Sequence, residues 1–242
     1  MNKLEVLKKV FGYDSFRDGQ EQIVDSILRG QDVLGIMPTG AGKSICYQLP
    51  ALMMSGITIV VSPLISLMID QVKALNEAGV HAAYINSALT ETQVTKALYN
   101  AMMGRYKIVY VAPERLETNR FLEFAMNSDI SMITIDEAHC ISQWGQDFRP
   151  SYLKIVNLIK RFPKRPVVSA FTATATMQVK EDIMCILGLN NPKVMVTGFD
   201  RKNLYFEVRK SKHKDADILD YVQSHSNDSG IIYCATRKNV DN

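Results

Sequence analysis

The sequence predicts an α/β protein built on a mainly parallel sheet with helices on both faces. Two observations predict it. Short apolar runs rich in β-branched residues recur at 32–37, 57–62, 107–112, 132–135, 166–171 and 231–234. Each is a near-continuous buried run rather than an alternating one, as expected of strands covered on both faces. Between most of them lie stretches with apolar residues at helical spacing, such as 63–78 and 90–104. Strand and helix in alternation give βαβ units and parallel pairing. Ligands of such sheets bind beyond the carboxyl ends of the strands, so the polar residues that follow each run are where chemistry is expected.

The chain has 242 residues, 47% of them hydrophobic and 22% charged, which suits one large globular domain or one domain and part of another. Its net charge of +3 is too mild to diagnose a nucleic-acid binder by itself. Cys46, Cys140, Cys185 and Cys234 contain no C-x-x-C pair, so neither a zinc site nor a disulfide framework is read, and reduced thiols are expected. No signal-peptide pattern and no apolar run of about 18 residues is present, so a cytoplasmic protein with no membrane partner is expected. Residues 197–203 form the best linker candidate: Gly198, two basic residues and little apolar content. The expected organisation is a first domain over 1–203 and the beginning of a second over 204–242, with strand patterns at 204–208 and 231–234 and a helix over 213–225. About 40 residues are too few to close an independent α/β domain.

The run at 32–37 leads into Pro38-Thr39-Gly40-Ala41-Gly42-Lys43-Ser44, and a helix follows. A phosphate needs a loop whose successive N–H groups point at one anion. Gly40 and Gly42 permit the tight turn, and the helix N-terminus adds its positive end. Lys43 can reach the β- and γ-phosphates of ATP, and the Ser44 hydroxyl can ligate Mg²⁺. The strict G-x-x-x-x-G-K-[ST] pattern asks for glycine at position 37, where this chain has Met37. The run at 132–135 ends in Asp136-Glu137-Ala138-His139. Adjacent acids at the mouth of a buried strand suit a metal site: Asp136 to hold Mg²⁺ and Glu137 to orient or deprotonate the attacking water. A solvated strand end is the plainer alternative.

These motifs resemble superfamily 2 helicases, and within them the RecQ family of 3′-to-5′ DNA helicases. The stretch from Gly12 to Gln20 resembles that family's adenine-reading motif, which implies that Tyr13 stacks on the base while Arg17 and Gln20 contact it. Ser62-Pro63-Leu64, Ala112-Pro113-Glu114-Arg115 and Phe171-Thr172-Ala173-Thr174-Ala175 resemble its motifs Ia, Ib and III. The resemblance implies that motif III, with His139, Thr172 and Thr174, links the ATP site to the nucleic-acid face. Phe199-Asp200-Arg201 with Asn203 matches the family's interdomain junction, and 231–234 with Arg237 its motif IV. The segment from Ile141 to Pro150 resembles the aromatic-rich loop that sets RecQ apart. There Trp144 and Phe148 are expected to stack on bases and Arg149 to add cation–π and phosphate contacts, with core anchoring as the alternative. The family usually has histidine where this chain has Gln146.

The resemblance implies a RecA-like fold, ATP and Mg²⁺ as cofactors, single-stranded and duplex DNA as partners, and a monomer. It also implies that the chain is a piece ending before the family's arginine finger, zinc-binding and winged-helix regions, so that it binds ATP but turns it over slowly. An RNA helicase and a non-catalytic nucleotide-dependent binding module are the competing readings.

Overall fold

The buried runs become strands of one sheet in the computed structural model, which describes residues 2–198 and 204–236. The seven strands are β1 (Val33–Ile36), β2 (Ile57–Val61), β3 (Ala82–Ile85), β4 (Ile108–Val111), β5 (Ile130–Ile135), β6 (Val167–Thr172) and β7 (Lys193–Val196). Their order across the sheet is β3-β4-β2-β5-β6-β1-β7, and every pair is parallel. The expectation of a mainly parallel sheet is borne out and sharpened. The helices are α1 (Lys3–Val6), α2 (Gln20–Leu28), α3 (Lys43–Met53), α4 (Ile65–Glu77), α5 (Glu91–Met102), α6 (Asn119–Met126), α7 (Leu153–Arg161), α8 (Met177–Ile186) and α9 (Lys214–Ser224).

Strand side chains alternate between two cores. Val33, Val60, Ile108, Tyr110 and Met132 pack with Ile23 and Ile27 of α2, Tyr47 and Ala51 of α3, and Met68 and Val72 of α4. Their neighbours Leu34, Ile59, Val61, Val109, Val111 and Ile133 pack with Leu98 of α5, Phe124 of α6, Leu158 of α7 and Ile183 of α8. Both faces of the sheet are therefore dry, which explains the unbroken apolar runs. This is the RecA-like arrangement.

The contacts divide the chain into two units, Met1–Phe199 and Asp200–Asn242. In the second unit α9 forms where the helical spacing lies. The apolar stretches at 204–208 and 231–234 carry no strand. A strand exists only with a ladder partner, and among the described residues these stretches have none; Val208 and Tyr233 are left 91% and 90% exposed. The junction residues Phe199, Asp200, Arg201 and Asn203, and Arg237, lie outside the described residues. Among the described residues no helix is long and apolar enough to cross a membrane.

Candidate nucleotide site

The strand order fixes the site. Strands β5, β6 and β1 are neighbours in parallel, so the three segments leaving their carboxyl ends emerge side by side. These are the acidic turn after β5, the threonine-rich turn after β6 and the glycine loop after β1, and their convergence is the ligand edge of an open α/β sheet.

The glycine loop leaves β1 through Met37. That residue is fully buried, its N–H still pairs with the Thr172 carbonyl at 3.0 Å, and its sulfur lies 3.9 Å from Cys46 Sγ. Its φ is not positive, so the glycine of the strict pattern is not required there. Gly40 (φ 84°) and Gly42 (φ 80°) do occupy the left-handed region. A Cβ on Gly42 would also sit 2.4 Å from Gln20 Nε2, so glycine is required twice over. Lys43 opens α3 and its Nζ donates to the Met37 carbonyl at 3.1 Å. Ser44 follows in the first turn of α3, and Thr39 stands exposed at the loop's rim.

Arg17 and Gln20 brace this loop. The Gln20 side chain is buried; its Nε2 donates to the Ala41 and Gly42 carbonyls at 3.1 and 3.2 Å, and its Oε1 accepts from Arg17 N–H at 2.9 Å. Arg17 Nη1 donates to the Gly40 carbonyl, and its guanidinium lies 5.9 Å from the Tyr13 ring centre. Tyr13 is 46% exposed and free to stack. The expected base readers are thus gathered beside the loop, with the amide of Gln20 turned to its backbone.

Asp136 is buried at the end of β5, with Oδ1 accepting from Glu137 N–H at 3.0 Å. Burial, and then the charge of Glu137, push its carboxyl up to about 6, against the pull of that N–H and of Lys43. Glu137 itself sits at φ 48°, a strained conformation for a residue with a side chain. Its Oε2 is 3.3 Å from His139 Nδ1, and that nitrogen is 2.9 Å from Thr172 Oγ1. Thr172 donates in turn to the Thr174 carbonyl at 3.0 Å. The acidic turn and the threonine turn are therefore in direct contact. The described residues gather no cluster of three metal-type side chains there, so a hard divalent cation would take most of its shell from phosphate and water. Asp136 and Ser44 are the residues that would hold it.

Sequence reasoning missed Tyr152. It is fully buried and donates to the Asp136 carbonyl at 2.9 Å, fixing the backbone from which the acids project. Its only signal was a tyrosine following the aromatic-rich loop. In that loop Trp144 is 75% exposed, which excludes it as a core anchor, while Phe148 and Arg149 are half-buried. Arg149 donates from Nε and Nη2 to Asp147 Oδ2 at 2.9 and 2.6 Å and from Nη1 to the Pro63 carbonyl at 3.3 Å. Cys46 and Cys140 are buried and their thiols are pushed up to about 12 by desolvation, so neither is a reactive nucleophile.

Residues 17–183, more than half of the chain, match the DEAD/DEAH box helicase family. The chain belongs to that family. As a DEAD/DEAH box helicase chain it is similar to the ATP-dependent DNA helicase RecQ of Bacillus subtilis (strain 168), at 48% identity over 98% of this chain and 40% of the relative. It is likewise similar to the RecQ of Haemophilus influenzae, at 44% identity over 98% of this chain and 38% of the relative. The RecQ resemblance drawn from the motifs is borne out. The chain spans about two fifths of the length of these relatives. Among solved structures, the DUF1998 helicase MrfA bound to DNA and AMPPNP superposes with a TM-score of 0.74 at 17% identity, over 100% of this chain and 37% of that one. At that identity the likeness shows the fold this helicase chain shares.

Proposed function

We propose that this chain is the ATP-binding motor region of a 3′-to-5′ DNA helicase, acting in the cytoplasm as a monomer on single-stranded and duplex DNA. The observation that carries the reading is the contact chain Glu137–His139–Thr172–Thr174, which ties the acidic turn after β5 to the turn after β6, while the aromatic-rich loop packs on the same acidic turn through Ser142 N–H and the His139 carbonyl. Lys43 leaves the Met37 carbonyl for the β- and γ-phosphates, and Tyr13 stacks on adenine. Asp136 and Ser44 would hold Mg²⁺, which would supply charge neutralisation across the phosphates. Glu137 orients the attacking water and accepts its proton. Trp144 and Phe148 stack on single-strand bases, and Arg149 moves from Asp147 to a backbone phosphate. The 3′-to-5′ direction is the one the RecQ likeness implies.

Residues 204–242 begin a second RecA-like domain in this reading. Phosphoryl transfer needs a cation facing the γ-phosphate from the second side, worth about 10³–10⁵ in rate where it has been removed. After Arg209 the sequence holds only Arg237, next to the motif IV stretch. This chain therefore binds Mg-ATP with little turnover.

The test is titration with a fluorescent ATP analogue, with and without Mg²⁺, and with labelled oligo(dT) and oligo(U), followed by phosphate-release measurements. Mg²⁺-dependent nucleotide binding and preference for oligo(dT) are expected. Preference for oligo(U) would replace the reading with an RNA helicase. Robust DNA-stimulated turnover abolished by Glu137→Gln would overturn the account of the second side.

A further inference from the structure

Helix α8 carries a carboxylate that no motif singles out. Asp182 Oδ2 accepts a hydrogen bond from Ser142 Oγ at 2.6 Å, and its Oδ1 accepts from Gln178 Nε2 at 3.2 Å. Ser142, at the start of the aromatic-rich loop, is fully buried. While donating to Asp182 its Oγ accepts from the backbone N–H of Trp144 at 3.1 Å, so the hydroxyl is engaged on both sides. Ser142 N–H donates to the His139 carbonyl at 3.2 Å, and Gly145 N–H to the Ser142 carbonyl at 3.0 Å. A Cβ on Gly145 would stand 2.3 Å from the His139 oxygen, so the loop lies backbone to backbone on the acidic turn.

These bonds close a circuit. From His139 it runs through Thr172 and the Thr174 carbonyl into α8, whose N-cap is Thr176. It returns from Asp182 through Ser142 to His139. Beside these bonds lies an open surface pocket of about 330 Å³, lined by His139, Trp144 and Gln146 on the loop side and by Thr174, Thr176 and Val179 on the other. The exposed Trp144 is thus held beside a space into which an untethered loop can collapse. Aspartate is a poor residue for a helix interior and opposes the dipole in its second half, so Asp182 costs α8 stability unless its partner compensates.

We infer that Asp182 is a positioning residue that holds the aromatic-rich loop open through Ser142 and presents Trp144 to the single strand. The DNA part of this inference rests on the proposed function. The loop part does not, and Trp144 is the only tryptophan in the chain, so its fluorescence reports the loop directly.

The experiment compares Asp182→Ala, Asp182→Asn, Ser142→Ala and the double alanine variant in the full chain, without ligand and then with labelled oligo(dT). Alanine is the better helix former, so Asp182→Ala leaves α8 intact. Expected in both single alanine variants are blue-shifted Trp144 emission and reduced acrylamide quenching. A rise of about 10-fold in the oligo(dT) Kd is expected too, the size for losing a charge-assisted hydrogen bond, with nucleotide affinity within about 2-fold of the parent. Asp182→Asn keeps an acceptor for Ser142 and restores most of the emission. The double variant is no worse than Ser142→Ala, which by itself also loses the bond from Trp144 N–H, because the two residues share one contact. Unchanged emission and quenching in Asp182→Ala, or additive effects in the double variant, overturn the inference. If the parent chain fails to bind oligo(dT), the functional proposal falls, and emission alone still decides the latch.

Discussion

His139 Nδ1 lies 2.9 Å from Thr172 Oγ1, joining the acidic turn after β5 to the turn after β6. The one proton of the Thr172 hydroxyl is directed to the Thr174 carbonyl, so the Thr172 oxygen accepts and Nδ1 must carry the hydrogen. Glu137 Oε2, 3.3 Å from the same nitrogen, favours that tautomer too. In the proposed reading, a shift of Glu137 toward a bound nucleotide would alter the pull on the imidazole and hence on Thr172.

Thr172→Val keeps the shape and removes the acceptor. It removes both the bond accepted from His139 and the one donated to the Thr174 carbonyl, so the variant is expected to lose about 1–3 kcal/mol of stability. Its nucleotide affinity is unchanged, and its DNA affinity no longer responds to nucleotide. Nitrogen NMR of His139 checks the tautomer, and oligo(dT) titration with and without nucleotide checks the coupling. A variant with full nucleotide response would show that the signal bypasses Thr172.

Lys43 donates to the Met37 carbonyl at 3.1 Å. Binding exchanges that bond for a charge-assisted one to phosphate. Lys43→Ala is expected to weaken nucleotide binding at least about 10-fold, from a loss of about 1.5–3 kcal/mol. Fluorescent-nucleotide titration measures it; parental affinity in the variant would remove Lys43 from the site.

Burial decided which elements were legible in the sequence. β1, β2, β4, β5 and β6 stand inside the sheet, covered on both faces, and each reads as an apolar run. β3 and β7 are its edges, partly exposed and paired on one side, so Ala82–Ile85 and Lys193–Val196 gave no such run. The runs at 204–208 and 231–234 show the converse, since β-propensity without a ladder partner makes no strand. Within the site, the phosphate loop and the acids were legible because their chemistry is local. The bracing of the loop by Gln20, the anchoring of Asp136 by Tyr152 and the Ser142–Asp182 bond join residues 16 to 40 positions apart, which only the fold brings together.

Gly35 of β1 pairs with Phe171 of β6, and a Cβ there would meet the Phe171 ring at 2.7 Å. That ring also packs at 5.5 Å from the Tyr47 ring of α3. Gly35→Ala forces the ring against α3 and is expected to cost about 1–3 kcal/mol, the range for an overpacked core. Thermal or urea unfolding measures it. Because Phe171 adjoins Thr172, the variant should also disturb the His139 resonances; a neutral effect on both would mean the ring has room to move.

Asp136 yields a prediction whose sign depends on metal. Its carboxyl is pushed up to about 6 from an ordinary value of 3.8, chiefly by burial and next by Glu137. Between those values the folded protein binds more protons than the unfolded chain, so stability falls as pH rises. The contribution is present below about 4 and is lost as pH passes 6, in chelator and without nucleotide. Asp136→Asn keeps the acceptor for Glu137 N–H and removes the charge. It is therefore expected to be more stable than the parent at pH 8, by at most about 3 kcal/mol for a two-unit rise. The gain shrinks at pH 5 and vanishes below about 4. With Mg²⁺ and nucleotide the order reverses, because a neutral amide is a weaker ligand for a hard cation than the carboxylate. Thermal melts at pH 5 and 8, with chelator and then with Mg²⁺-nucleotide, test both halves. A variant less stable than the parent at pH 8 in chelator would show that Lys43 already balances the buried carboxylate, and a variant retaining Mg²⁺-dependent nucleotide affinity would take Asp136 out of the metal site.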